Sequence, residues 1–149
     1  MKVPHFRHVA VVLFSIFWVA PCFAHHMAVV VSKENGGTAL SSLQLRRVFL
    51  LEIKKWPDGK AIQVVLHRAS SGEAVTLQRL NKMSAQQWHD WIATHKDSLT
   101  LVDSDEDVLN YVERTPGAIG LVDVRSVNDH VTIVRVDGKV PMEAGYLPH

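Results

Sequence analysis

The chain has 149 residues, of which 47% are hydrophobic and 21% charged, with one cysteine and a formal charge of +1. That length holds one domain, and the apolar share supports a packed core. Nothing in the composition matches a disordered, collagen-like or disulfide-built chain.

Residues 1–24 carry Lys2 and Arg7, no acid, and an apolar run of 12 residues from Val9 to Ala20. A membrane span needs about 20 such residues, so the run predicts a secretory signal and no transmembrane helix. Cys22 and Ala24 put small residues at the two positions read by a signal peptidase, which predicts cleavage before His25. Lipid attachment at Cys22 is the alternative, to which Pro21 is a poor neighbour. The expected working protein is one domain over residues 25–149, exported to the periplasm. Two of the 16 Lys and Arg fall in the leader and none of the 15 acids, so the charge moves from +1 to −1. The cysteine goes with the leader, which excludes disulfides and thiol chemistry. The remainder has no basic stripe, so no nucleic-acid partner is expected.

The working domain opens on Met27–Ser32 (MAVVVS), a continuous apolar run of strand length. Such runs suit strands buried on both faces, as in a parallel sheet. Ala61–Leu66, Leu99–Val102, Ala118–Val122 and Val131–Val136 are four more. Between them the apolar residues take helical spacing: Leu45, Val48 and Phe49; Leu77 and Leu80; Trp88, Trp91 and Ile92; Val108, Leu109 and Val112. Strands alternating with helices predict an α/β sheet flanked by helices. Ser41 with Gln44, Ser70 with Glu73 and Ser84 with Gln87 have capping-box spacing, and Ser104 with Asp107 is a weaker version. Trp56-Pro57-Asp58-Gly59 and Asp137-Gly138 predict turns.

One stretch carries candidate chemistry. His67-Arg68-Ala69-Ser70-Ser71-Gly72-Glu73 lies where a strand gives way to a helix. A helix start presents free amides and the positive end of its dipole, and Arg68 adds a planar fork suited to an oxyanion. Arg68, Ser70, Ser71 and Gly72 are therefore a candidate site for phosphate, sulfate or carboxylate. The competing reading is that Ser70 and Glu73 only cap the helix, with the Glu73 carboxylate occupying the same amides.

Other chemistry is not signalled. His25, His26 and Met27 at a new N-terminus would offer copper nitrogen and sulfur donors, against which stands the mobility of chain ends. His67, His89, His95, His130 and His149 lack zinc-type spacing, so no metal or other cofactor is expected. No nucleophile elbow, H-E-x-x-H or Walker loop is present, which predicts a non-enzyme. Gly117 and Gly120 read as a tight strand entry and a close packing point.

Three segments resemble the phosphate-binding family of ABC-transporter substrate-binding proteins, in the family's order. Leu43–Phe49 followed by Trp56-Pro57-Asp58-Gly59 is similar to its "IF-G-I-x-x-W-x-D-G" segment. Arg68 with Ser70-Ser71-Gly72 is similar to its "R-x-x-x-SGT" phosphate loop, with Glu73 in place of the threonine. Thr115-Pro116-Gly117-Ala118-Ile119-Gly120-Leu121-Val122 is close to its "T-P-G-A-I-G-Y-V" strand entry. The resemblance implies one lobe of a type 2 periplasmic-binding-protein fold, with a mixed, mostly parallel sheet. It implies phosphate or another small oxyanion as ligand, and a membrane transporter or receptor as partner. Family members close two lobes over the anion, so a single lobe needs a second copy or another protein as lid. An accessory domain that keeps the fold for protein interaction alone is the second expectation.

Overall fold

A computed structural model describes residues 26–35 and 39–148. The leader, the cleavage point before His25, the alternative at Cys22 and the copper reading at His25 lie outside them.

Five strands form the main sheet: β1 (Met27–Ser32), β3 (Gln63–His67), β4 (Thr100–Val102), β5 (Ala118–Asp123) and β6 (Val131–Ile133), in the order β4-β3-β5-β1-β6. A two-stranded piece pairs β2 (Ala39–Leu40) with β7 (Arg135–Val136). β3 runs parallel to β4 and to β5, whereas β1 runs antiparallel to β5 and to β6. Among the described residues three of the five pairings are parallel, two in the main sheet and the third between β2 and β7, and the two made by β1 are antiparallel, so the architecture is mixed.

The direction of β1 differs from what its composition suggested. All six of its residues are buried, as a continuous apolar run requires. Burial on both faces sets side-chain chemistry; it does not set strand direction, which follows from how the chain returns. Val131–Val136 also divides, with Val134 bonding through its N–H to the Val29 carbonyl at 2.9 Å before the chain turns into β7.

The helices are α1 (Ser42–Phe49), α2 (Ser71–Asn81), α3 (Ala85–His95) and α4 (Asp105–Arg114). Alternate residues of each strand serve opposite faces. Val29, Val31, Val64, Leu66, Ile119 and Leu121 pack under α1, α2 and α3 with Phe49, Leu77 and Trp88. Val30, Val65, Ala118 and Val122 pack under α4 with Val108, Leu109 and Val112. Trp88 is buried and stacks on Trp91 at 5.1 Å, and Trp91 stacks on His95 at 4.4 Å.

Ser41 and Ser84 make complete capping boxes with Gln44 and Gln87. Ser104 accepts the Asp107 N–H at 3.0 Å. Ser70 makes only half a box: its hydroxyl accepts the Glu73 N–H at 3.1 Å, but the Glu73 carboxylate turns to another partner.

Candidate functional site

Because β3, β4 and β5 are parallel, their carboxyl ends share one edge of the sheet, the usual place for a site in α/β folds. β3 delivers His67 and Arg68 there, β4 delivers Asp103, and β5 delivers Asp123. α2 and α4 begin at the same edge, so both helix N-termini face it.

Arg68 is exposed and grips Asp103 through two bonds, Nε to Oδ1 at 2.6 Å and Nη2 to Oδ2 at 3.0 Å. The hydrogen bonds of this fork hold the Asp103 carboxyl below its ordinary range and push the Arg68 guanidinium higher. Beneath it, His67 Nδ1 lies 3.0 Å from Asp105 Oδ1. A carboxylate only accepts, so the proton belongs on Nδ1 and the ring's Nε2 is left to its surroundings. Asp105 Oδ2 also accepts the Asp123 N–H at 3.0 Å and the Ser126 hydroxyl at 2.8 Å. One carboxylate thereby fixes a histidine, a strand end and the turn after it.

Glu73 is 3% exposed, and its two oxygens accept the His67 backbone N–H at 3.0 and 3.1 Å. Burial, reinforced by the Asp105 charge, pushes its carboxyl well above the ordinary value, with the His67 N–H opposing. The expectation that this carboxylate would occupy the first amides of α2 is therefore corrected. It points inward to β3, because the strand end offers a buried N–H that the sequence alone does not place beside it.

The sequence-predicted group Arg68, Ser70, Ser71 and Gly72 comes together on the rim of this edge. Ser71 is exposed and Gly72 half-buried, at the first two positions of α2, whose amides have no partner within the helix. Ser70 Oγ is engaged by the cap and Arg68 by Asp103. Asp103 and Asp105 join this edge without a signal in the sequence, and His67, inside the candidate stretch, was given no role there. The acidic run at Asp103–Asp107 reads locally as dipole compensation, and only strand order brings two of its members to His67 and Arg68.

Behind the rim, a cleft of about 200 Å³ opens between α2 and α3. Leu66, Trp88 and Ile92 form part of its apolar wall, and Arg68, Glu73 and His89 are among its polar residues.

Solved structures share this architecture. The chain is similar to an ABC-type phosphate transport receptor from Vibrio cholerae (21% identity, TM-score 0.63) and to PstS from Borrelia burgdorferi (18%, 0.61). It is likewise similar to a phosphate binding protein from Stenotrophomonas maltophilia (18%, 0.67). Each alignment covers 78% of this chain but only 40 to 49% of the other, so the chain spans about half the length of these proteins or less. At these identities the likeness establishes the fold, that of about one lobe. A family model described as the PBP superfamily domain matches residues 17–146, nearly the whole sequence, and the chain belongs to that family.

Proposed function

We propose that the protein is an exported, non-catalytic solute-binding lobe that takes a small oxyanion, phosphate or sulfate, at the start of α2. The observation that carries this reading is the position of the Ser71 and Gly72 amides. They open α2 at the carboxyl end of parallel strand β3, with Arg68 beside them, and the Glu73 carboxylate is turned away from them toward His67. The sheet-edge location, and the similarity to a phosphate transport receptor and a phosphate binding protein, support the same ligand class. The rim is open, so binding by one lobe is weak unless a second copy or a membrane transporter or receptor covers the anion. The leader at residues 1–24 supports the periplasm as the place of work.

Calorimetric titration with phosphate and with sulfate, at low and physiological salt, tests it. Saturable heat that disappears in Arg68→Ala is the expected result; no heat at millimolar anion overturns the reading. A second reading, an interaction domain without a ligand, is favoured by one observation: Asp103 already occupies the Arg68 fork. That reading requires the silent titration.

A further inference from the structure

The cleft between α2 and α3 contains a group that the rim does not use. Glu73 lines it as a buried carboxyl whose two oxygens share one backbone N–H, that of His67. Among the described residues no Lys, Arg or His lies within ion-pair distance of it. A buried acid without a cation is unfavourable, and Asp105 nearby adds to the negative potential. Arg68, the one guanidinium at the cleft, is neutralised by Asp103. The remaining wall includes Leu66, Trp88 and Ile92, and Gln78 adds a side-chain carbonyl. At about 200 Å³ the space falls below the roughly 300 Å³ of drug-sized sites.

We propose that this cleft binds the ammonium group of a small aliphatic amine or amino acid, with Glu73 as its carboxylate partner and the apolar wall around its methylenes. A buried carboxyl with no cationic side chain at ion-pair distance suits a cation that can take the place of its proton, the small volume excludes a large one, and the apolar wall selects an alkyl body over a bare inorganic ion. The groups facing Glu73 are His67 from β3, Arg68 beyond it, His89 from α3 and Asp105 from α4. In the free protein, burial favours the protonated acid. An arriving ammonium ion displaces that proton, which leaves to solvent, and forms the ion pair with the carboxylate. Affinity therefore rises with pH through the raised pKa of Glu73, while an aliphatic amine stays charged. The inference is independent of oxyanion binding at the rim.

Titration calorimetry with propylamine, β-alanine and propionate tests it. Binding of propylamine and β-alanine alike assigns a bare ammonium site. Binding of β-alanine alone assigns an amino acid whose carboxylate reaches the Arg68 side of the cleft. Either nitrogen ligand should lose at least tenfold in affinity in Glu73→Gln, and propionate should not bind. Silence from both nitrogen probes at millimolar concentration, or binding unchanged in Glu73→Gln, overturns the proposal. Should that variant fail to fold, the wild type still decides: an affinity for the amine that does not rise as the pH is raised above 4.5 overturns it equally. Phosphate binding lost in Arg68→Ala reads the rim, so failure of one site leaves the other measurable.

Discussion

Glu73 and His67 are six residues apart, and the Glu73 carboxylate clasps the His67 backbone N–H through both oxygens. This bond ties the first turn of α2 back to the end of the strand that precedes it. It replaces the reciprocal bond of a capping box, in which the same side chain would return to the Ser70 amide. The consequence is a carboxyl drawn into the protein at a point where its ionised form is disfavoured.

That burial gives folding a definite pH dependence. The native carboxyl holds its proton more tightly than the unfolded one, whose value is 4.5. Its favourable contribution is therefore complete below 4.5 and is lost as pH rises through the raised native value. Glu73→Gln keeps a carbonyl for the His67 N–H and cannot ionise. Thermal melts followed by circular dichroism should show Gln gaining on the wild type above pH 4.5, with the gap widening as pH rises toward the raised native value. A gap constant with pH removes burial as the cause.

The Arg68–Asp103 fork bears on binding more than on stability. Both side chains are more than half exposed, and water screens such pairs strongly. Asp103→Ala should leave the melting temperature nearly unchanged while freeing Arg68 for an anion at the α2 start. Phosphate affinity should rise in this variant and fall in Arg68→Ala, both measured by calorimetry. Equal affinity in Asp103→Ala and the wild type would show that the fork is not in competition with the ligand.

Local features were the legible ones. A cap is decided within four residues, so Ser41, Ser84 and Ser104 are found where spacing puts them. Apolar runs located all the strands of the main sheet, because a strand that packs into the core, wholly or in part, is marked by its composition. What composition does not encode is the partner of each strand. The antiparallel course of β1, the division of Val131–Val136 and the meeting of His67 with Asp105 all depend on strand order. Glu73 shows the same divide inside one residue: its amide obeys the local rule, and its carboxylate obeys a tertiary one.

The two glycines of the Thr115–Val122 segment separate in mechanism. A Cβ on Gly120 would stand 2.7 Å from Val108 Cγ1 and 2.9 Å from Val65 Cγ1, so the glycine lets α4 close on the sheet. Gly120→Ala should cost about 1–3 kcal/mol, since these valines can move only by disturbing the packed layer. Gly117 has φ +87, and a Cβ there would run into the Ala61 carbonyl, a backbone atom that no rotamer change relieves. Its N–H and carbonyl are also bound to Asn35 and to the Trp56 indole. Gly117→Ala should therefore be the more destabilising of the two in urea unfolding, and the reverse order would refute this account.

Tyr146 fastens the C-terminal segment to the β1–β6 side of the sheet. Its hydroxyl donates to the Val134 carbonyl at 2.7 Å and accepts the Val29 N–H at 3.2 Å, with the residue 3% exposed. Tyr146→Phe keeps the ring but leaves both backbone groups short of a partner at a buried position. A loss of about 1–3 kcal/mol is expected, with the urea m-value unchanged because the exposed surface is the same. Alkaline pH gives a second reading of the same bond. Burial pushes the phenol from 10.0 up to about 12. The neutral hydroxyl's contribution is thus whole below pH 10.0 and is lost as pH rises through about 12. The advantage of tyrosine over phenylalanine should accordingly shrink across that interval. A difference that persists undiminished would mean that ring packing, rather than the hydroxyl, separates the two proteins.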